Sequence, residues 1–491
     1  MKVKLLSQRR ADADRRERLR ALFEGGPRWH AMRAAWFPQR GVEPKEVYDE
    51  RLALLTYTNH VGGLLSTLVG LLFAEPPVVE GLGAEAAGSA DFYARLLADA
   101  DGVGTGWAEL WPPLVEDALV ARHAYLWLDL PAAAPGAAWS SLGDQLRAGA
   151  LDVRLHRIPP EQVLDWGEGP GGELRWLLFV GDTEVRGAPE QARARVRTWT
   201  YIDAQQVRRW EWRPREDQAE PGPEDEAVEL AAVAHGFGQL PVVRLSLPLN
   251  LWAMHRLEDV AVKLTRSENE LAWALHQAAH ELLVIRSRDF AADTPKLGHG
   301  HYLHLDRDSE GVDEAKFVAP SGVAFQHLRA ERDADRADLF RAVQAMAQAV
   351  NPEHAQAQSG ASKNADWKAA DVLLTALSGR VLGAMRRTLE LVAAVRQDKV
   401  QPVVRGLDGW HVEDLETFLR SATMAVDAAR LSPTFRRLLA RVQAERVLGA
   451  AVRPEELDQV RVEIDGATDD DPDGDGLDPA AAFDRRRAGA P

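Results

Sequence analysis

Apolar residues recur three or four positions apart in two long stretches between 323 and 397. Leu339, Phe340, Val343, Met346 and Val350 share one face of the first, and Leu374, Leu377, Val381, Met385, Leu389 and Val392 share one face of the second. This spacing predicts two long amphipathic helices. Between them lies Asn351-Pro352-Glu353-His354-Ala355-Gln356-Ala357-Gln358-Ser359-Gly360-Ala361-Ser362-Lys363-Asn364. The proline there lacks a backbone donor, and the amides, serines and glycine favour turns over helix. The expectation is a packed helix pair with a polar loop at one end, and the rest of the chain is read around it.

Upstream, residues 9–23 are charged and helix-prone, a surface or subunit-contact helix ended by Gly25-Gly26-Pro27. One helix is predicted over 45–73, with Leu52, Leu55, Val61, Leu64, Leu65, Leu68 and Leu72 near one face, stopped by Glu75-Pro76-Pro77. Trp107, Leu110, Trp111, Leu114, Val115, Ala118 and Leu119 predict a further amphipathic helix, and Tyr125-Leu126-Trp127-Leu128 a strand.

From 152 to about 247 the period becomes that of short strands, at 153–156, 176–180, 196–201, 207–212 and 242–245, with a glycine-rich turn at 167–172 and a long Pro/Glu-rich loop at 214–226. Without alternating βαβ units, this is an antiparallel α+β region. A rod-like helix follows from Pro248, lined by Leu257, Val260, Ala261, Leu264, Leu271, Ala274 and Leu275. Next come a small β-containing insertion over 282–323, with strands at 283–285 and 302–305, and the central helix pair. Residues 400–449 read as a short strand and helices, and 460–464 as a last strand. The acidic tail over 465–491 has too little apolar surface to offset ordering entropy and is expected to be disordered.

At 491 residues and 46% hydrophobic, the chain predicts two or more units with a substantial core. A net charge of -16 argues against a broad phosphate-gripping basic face. The absence of cysteine excludes disulfides, cysteine-ligated zinc and thiol nucleophiles. The first residues lack a signal-peptide pattern. The apolar run over 60–73 falls short of the roughly 20 residues a membrane span needs and is read as a buried helix. A soluble or assembly-bound chain, with no membrane partner, is expected.

Catalytic signatures are missing. No Walker loop, strand-linked GxGxxG, HExxH or GxSxG elbow occurs. His299, His301 and His304 lie in a turn-rich segment without carboxylate or thiolate spacing suited to a metal, so no metal and no cofactor is expected. Residues 471–478 imitate a calcium loop, but Ala482 stands where an EF-hand needs its bidentate glutamate, and the tail is read as solvated. Trp210-Glu211-Trp212, beside Arg208, Arg209 and Arg213, reads as a strand with one buried tryptophan face rather than a base-stacking platform.

Three segments in this order resemble the portal proteins of tailed bacteriophages and related prophage or gene-transfer particles. Leu155-His156-Arg157-Ile158-Pro159-Pro160-Glu161-Gln162-Val163-Leu164-Asp165-Trp166 is similar to the "P-E-x-[VI]-[IL]-x-W" segment of their wing domain. Leu71-Leu72-Phe73-Ala74-Glu75-Pro76-Pro77 is similar to an early helix end, and residues 116–131 to the helix-to-strand step after it. The resemblance spans roughly 28–397, and the 168–172 and 214–226 stretches depart from it as insertions.

It implies an α+β portal-type fold with an α/β wing (1–247), a stem helix (248–281), a small β-containing clip (282–323), a return stem helix (324–350), a tunnel loop (351–364), a wing helix (365–399), a helical crown (400–464) and a tail (465–491). By the same resemblance the chain is no enzyme but a homo-oligomer, typically a dodecamer, at a capsid vertex of a virion assembled in the bacterial cytoplasm. It would pass double-stranded DNA during packaging and ejection, with the terminase large subunit, major capsid and scaffolding proteins and a head–tail adaptor as partners. The loop would present Asn351, Glu353, His354, Gln356, Gln358, Ser359, Ser362, Lys363 and Asn364 to DNA, with Lys363 and His354 as its cations. The clip would present Arg286, Arg288, Asp289, Asp306, Arg307 and Asp308 to the motor and adaptor. Two other readings stay open: a ring-forming part of a non-phage injection or secretion device, and a metal-dependent hydrolase using His299, His301 and His304 with Asp306 or Asp308.

Overall fold

The helical spacing before residue 122 and the period-two alternation after it both become regular structure. The computed structural model describes residues 1–7, 12–82, 89–131, 140–185, 194–213, 221–278, 282–287, 302–306, 314–318, 322–350, 362–408, 459–460 and 462–464. In chain order its elements begin with α1 (Val3–Leu6), α2 (Ala13–Glu24), α3 (Gly26–Trp36), α4 (Lys45–Leu54), α5 (His60–Leu72), β1 (Val78–Glu80), α6 (Ser89–Ala98), α7 (Trp107–Ala121) and β2 (His123–Asp129). There follow α8 (Leu142–Arg147), β3 (Arg154–Ile158), β4 (Val163–Glu168), β5 (Leu174–Val185), β6 (Ala194–Ile202), β7 (Gln206–Trp212), β8 (Val228–Ala234) and β9 (Val242–Ser246). The last are α9 (Ala253–Ala278), β10 (Leu282–Ser287), β11 (Tyr302–Asp306), β12 (Glu314–Val318), α10 (Gly322–Val350), α11 (Ser362–Arg396) and β13 (Val403–Arg405). The chain divides into two compact units, Met1–Trp410 and His411–Pro491.

Alternation along the strands builds a layered core in the first unit. An antiparallel sheet of order β3-β2-β9 is covered on both faces. Ala124, Leu126 and Leu128 face the helices, in one cluster with Leu65 of α5, Leu114 of α7, Leu257 of α9 and Met385 of α11. Tyr125 and Trp127 face the other way, onto Trp166, Leu177 and Ile202 of a five-stranded antiparallel meander, β4-β5-β6-β7-β8. The uninterrupted apolar run at 125–128 is thus the signature of a strand buried on both sides. The outer face of the meander carries Trp199, Trp210 and Trp212, capped by Val3. Val3 and Lys4 donate backbone bonds to the carbonyls of Asp225 and Pro223, so the later part of the Pro/Glu-rich loop is a pairing partner of the N-terminus.

Two helix expectations change. Residues 13–24 are not a surface helix. Leu19, Ala21 and Leu22 are at most 1% exposed, and Arg16 and Arg20 are buried, because their guanidiniums are answered inside the fold by the Pro160 carbonyl and by Asp117. Gly25-Gly26-Pro27 ends α2 as expected, and Gly26-Pro27 at once opens α3, with proline in its first turn, where a missing N–H costs nothing. The single helix over 45–73 is two. Leu55 turns extended, and Asn59 caps α5 by accepting from the Gly62 N–H at 2.8 Å while donating to the Phe23 carbonyl at 2.7 Å. Gly62 is required there, since a Cβ would lie 2.5 Å from that carbonyl oxygen.

At the far end of the first unit, β13 pairs antiparallel with β1, and Leu407 is fully buried. Residues 403–407 are therefore packed against the N-terminal part of this unit. In the second unit Gln459, Val460, Val462, Glu463 and Ile464 are helical, not a strand. Val460 and Ile464 are four apart as well as even-spaced, and Gln459 bonds Glu463 across one helical turn. The tail and the calcium-loop mimic at 471–478 lie outside the described residues.

Replacing Asn59 with alanine removes the cap and the bond to Phe23, and is expected to cost about 1–2 kcal/mol in urea-induced unfolding. An unchanged midpoint would mean that this cap does not hold the break between α4 and α5.

Candidate functional site

Three helices carry the candidate site. At 1.5 Å per residue, α9 (26 residues), α10 (29) and α11 (35) extend about 39, about 43 and about 52 Å. α10 packs on α9 and on α11. The apolar face predicted for α11 is the buried one, with Leu374, Leu377, Val381, Met385, Leu389 and Val392 no more than 1% exposed. On α9, Leu257, Ala261, Leu264 and Leu271 are buried, whereas Leu275 is exposed. Lys263 of α9 donates to Oδ1 of the buried Asp335 of α10 at 2.5 Å, a bond that holds the ammonium above the ordinary lysine range. The C-terminal end of α11 is fastened by Arg396. Its guanidinium lies 3.6 Å from the Phe92 ring centre of α6 and donates to the Leu151 carbonyl and to Asp152 and Asp398, each at 3.0 Å.

Between α10 and α11, residues 351–361 lie outside the described residues, among them Asn351, Glu353, His354, Gln356, Gln358 and Ser359. Ser362, Lys363 and Asn364, expected in the loop, form the first turn of α11. Serine and asparagine are at home at a helix start, and the alanine-rich run after them propagates it.

Residues between α9 and α10 form a mixed sheet of order β11-β10-β12, with β11 parallel and β12 antiparallel to β10. β12 was not foreseen, although Glu314-Ala315-Lys316-Phe317-Val318 alternates. Arg286 sits on β10, in register with Leu305 and Glu314, and Asp306 ends β11 in register with Ser287. Arg288, Asp289, Arg307 and Asp308 lie outside the described residues, as do His299 and His301, while His304 is on β11. Among the described residues no cluster of three His, Cys, Asp or Glu side chains could hold a metal, and no helix is long and apolar enough to cross a membrane.

The Pro159-Pro160-Glu161 segment is a structural junction. Asp117 of α7, fully buried, accepts from Arg157 of β3 at 2.5 and 2.7 Å and from Arg20 of α2 at 3.0 Å. Arg16 of α2 donates to the Pro160 carbonyl at 2.7 Å, and Glu161 lies 3.6 Å from Arg20 and 3.4 Å from Arg28. Burial pushes the Asp117 carboxyl up, against the pull of Arg157 and Arg20. A neighbouring cleft of about 400 Å³ is lined by Arg15, Arg16, Arg122, His123, Trp166 and Trp252. Its arginines are engaged internally: Arg15 with Glu258 at 2.8 Å, Arg16 with Pro160, and Arg122 with the Leu247 carbonyl at 3.2 Å. Burial, then Arg244 and Arg122, push the His123 imidazole down to about 4.

Asp117→Ala strands two guanidiniums and is expected to cost roughly 3–5 kcal/mol, measurable as a lower denaturant midpoint. His123 stays neutral in the fold down to pH about 4, whereas the unfolded chain takes up the proton near 6.5. Stability therefore falls as pH drops from 6.5 toward 4, by roughly 3 kcal/mol for this group. His123→Gln should flatten that component of the Tm–pH curve, and identical curves for the two proteins would refute it.

No known family model and no curated protein matches the chain. Among solved structures, a chain from the virion of a native gene transfer agent particle is similar at 16% identity and a TM-score of 0.41, over 77% of this chain and 89% of that one. A chain from the neck of an empty gene transfer agent particle computed with C6 symmetry is similar at 16% identity and a TM-score of 0.38, over 82% of this chain and 90% of that one. Similarity of this degree assigns no function to the chain.

Proposed function

We propose that the chain is the repeating subunit of a portal ring at a unique vertex of a phage-like particle, a conduit for double-stranded DNA and a platform for terminase and head-completion proteins. One observation carries the reading. Antiparallel sheets are followed by a helix, a small sheet, a second helix, a polar connection and a third long helix, in the order implied by the sequence segments that resemble portals. In this reading the sheets and N-terminal helices form the wing, α9 and α10 the stem, β10–β12 the clip, residues 351–361 the rim of the bore and α11 the helix returning to the wing. The crown, implied over 400–464, would begin after β13.

The charge suits the task. A net charge of -16 per subunit, repeated around a closed axis, repels duplex DNA instead of binding it. A conduit needs DNA to slide, and His354 in the connection and Lys363 in the first turn of α11 would supply cations for brief phosphate contacts.

The purified chain is expected to form rings, in the family's usual number twelve, with a central hole wide enough for duplex DNA in negative-stain images. A compact monomer at all concentrations would sink the proposal. Replacing 351–361 with a short glycine–serine linker, which spares the first turn of α11, should leave rings intact and impair DNA packaging or retention. Loss of the rings would instead make the connection an assembly element.

A further inference from the structure

β9 is an edge strand, and its outer side opens into a groove of about 660 Å³ between the strand, the Gly172–Leu174 turn and α11. The Leu128 N–H donates to the Pro241 carbonyl at 2.8 Å and the Leu247 N–H to the Arg122 carbonyl at 3.0 Å. With the register between β2 and β9, this puts the inward hydrogen bonds at Val243 and Leu245 and turns the N–H and C=O of Val242, Arg244 and Ser246 outward. Among the described residues, nothing bonds those outward groups.

The opposite wall is built for close approach. Gly379 and Gly383 lie one turn apart on the groove face of α11, and a Cβ on either would meet nothing within 4 Å. Glycine is a poor helix former, and packing within the chain does not call for it at these two places. Arg380 and Arg387 flank the glycines, both exposed, Arg387 donating to Gln239 at 2.8 Å, while Arg244 on the strand side is held by Glu168 and the Gly172 carbonyl.

We propose that this groove receives an extended, carboxylate-bearing segment of a second copy of the chain, which adds to the free edge of β9 by main-chain pairing while its acids meet Arg380 and Arg387. Charge complementarity selects the occupant: 75 acidic against 59 basic residues make another copy a source of acidic segments. The inference rests on the ring reading, because a ring sets copies side by side.

The test uses the full chain. Ser246→Pro removes one outward N–H without touching the bonds to β2, Gly383→Leu fills the groove, and the double variant Arg380→Glu/Arg387→Glu reverses its charge. Each should weaken self-association at least tenfold by sedimentation. Gly383→Ala should raise the monomer's melting temperature, which separates blocked docking from misfolding. In hydrogen exchange, the amides of Val242, Arg244 and Ser246 should slow at least tenfold on assembly. Rings that form normally in Ser246→Pro and Gly383→Leu, or amides that exchange equally fast in monomer and assembly, would overturn this inference and leave the ring reading standing. Protection of these amides only by a different protein would overturn the assignment to a second copy. A parent chain that never leaves the monomer would overturn the ring reading itself.

Discussion

One buried carboxylate holds the first unit together. Asp117 sits where α2, α7 and β3 meet, and no water reaches it, so its charge depends on Arg157 and Arg20. Removing either side would leave an isolated ion in a medium that solvates it poorly. The arrangement also fixes geometry. Arg157 approaches with two parallel donors, which sets the angle between the helix layer and the β3-β2-β9 sheet, and Arg16 ties the same helix to the Pro160 turn that starts β4. From that turn the meander continues to β8, so both sheets are tied to the helices through Asp117 and the arginines around it.

This explains which parts of the fold were legible in the sequence. The helix pair 323–397 and strands β3, β5, β6, β7 and β9 showed because one-sided burial imposes a period, and the buried positions of α11 fall where that period put them, whereas β4 and β8 were not foreseen. The charged segment 13–24 misled because its acids and arginines look like a solvated face unless their partners are known, and those partners lie 97 and 144 residues away. The break at 55–59 was hidden for another reason. Leu55 and Leu72 both suit one continuous apolar face, and only the contact of Asn59 with Phe23 reveals the interruption.

The candidate site was legible in outline and not in detail. Polar composition marked a connection between α10 and α11, but its downstream boundary depends on where helix propagation wins, and alanine-rich sequence after Asn364 extends α11 back to Ser362. The Pro159-Pro160-Glu161 segment was noticed for its pattern alone. Its physical task, accepting from one arginine and facing two others, could not be read without the three-dimensional positions of Arg16, Arg20 and Arg28. The free edge of β9 left no sequence signal, because an edge strand and an interior one are equally apolar when both faces are covered.

Arg396 gives the long helix a mechanical polarity. Its guanidinium locks one terminus of α11 against Phe92, Leu151 and Asp398, deep in the helical layer. A stiff rod pinned at one end cannot absorb a push along its axis by sliding. Load applied near Ser362 is therefore delivered to α6 and the residue 151–152 turn, so a disturbance at the polar connection is felt on the opposite side of the unit.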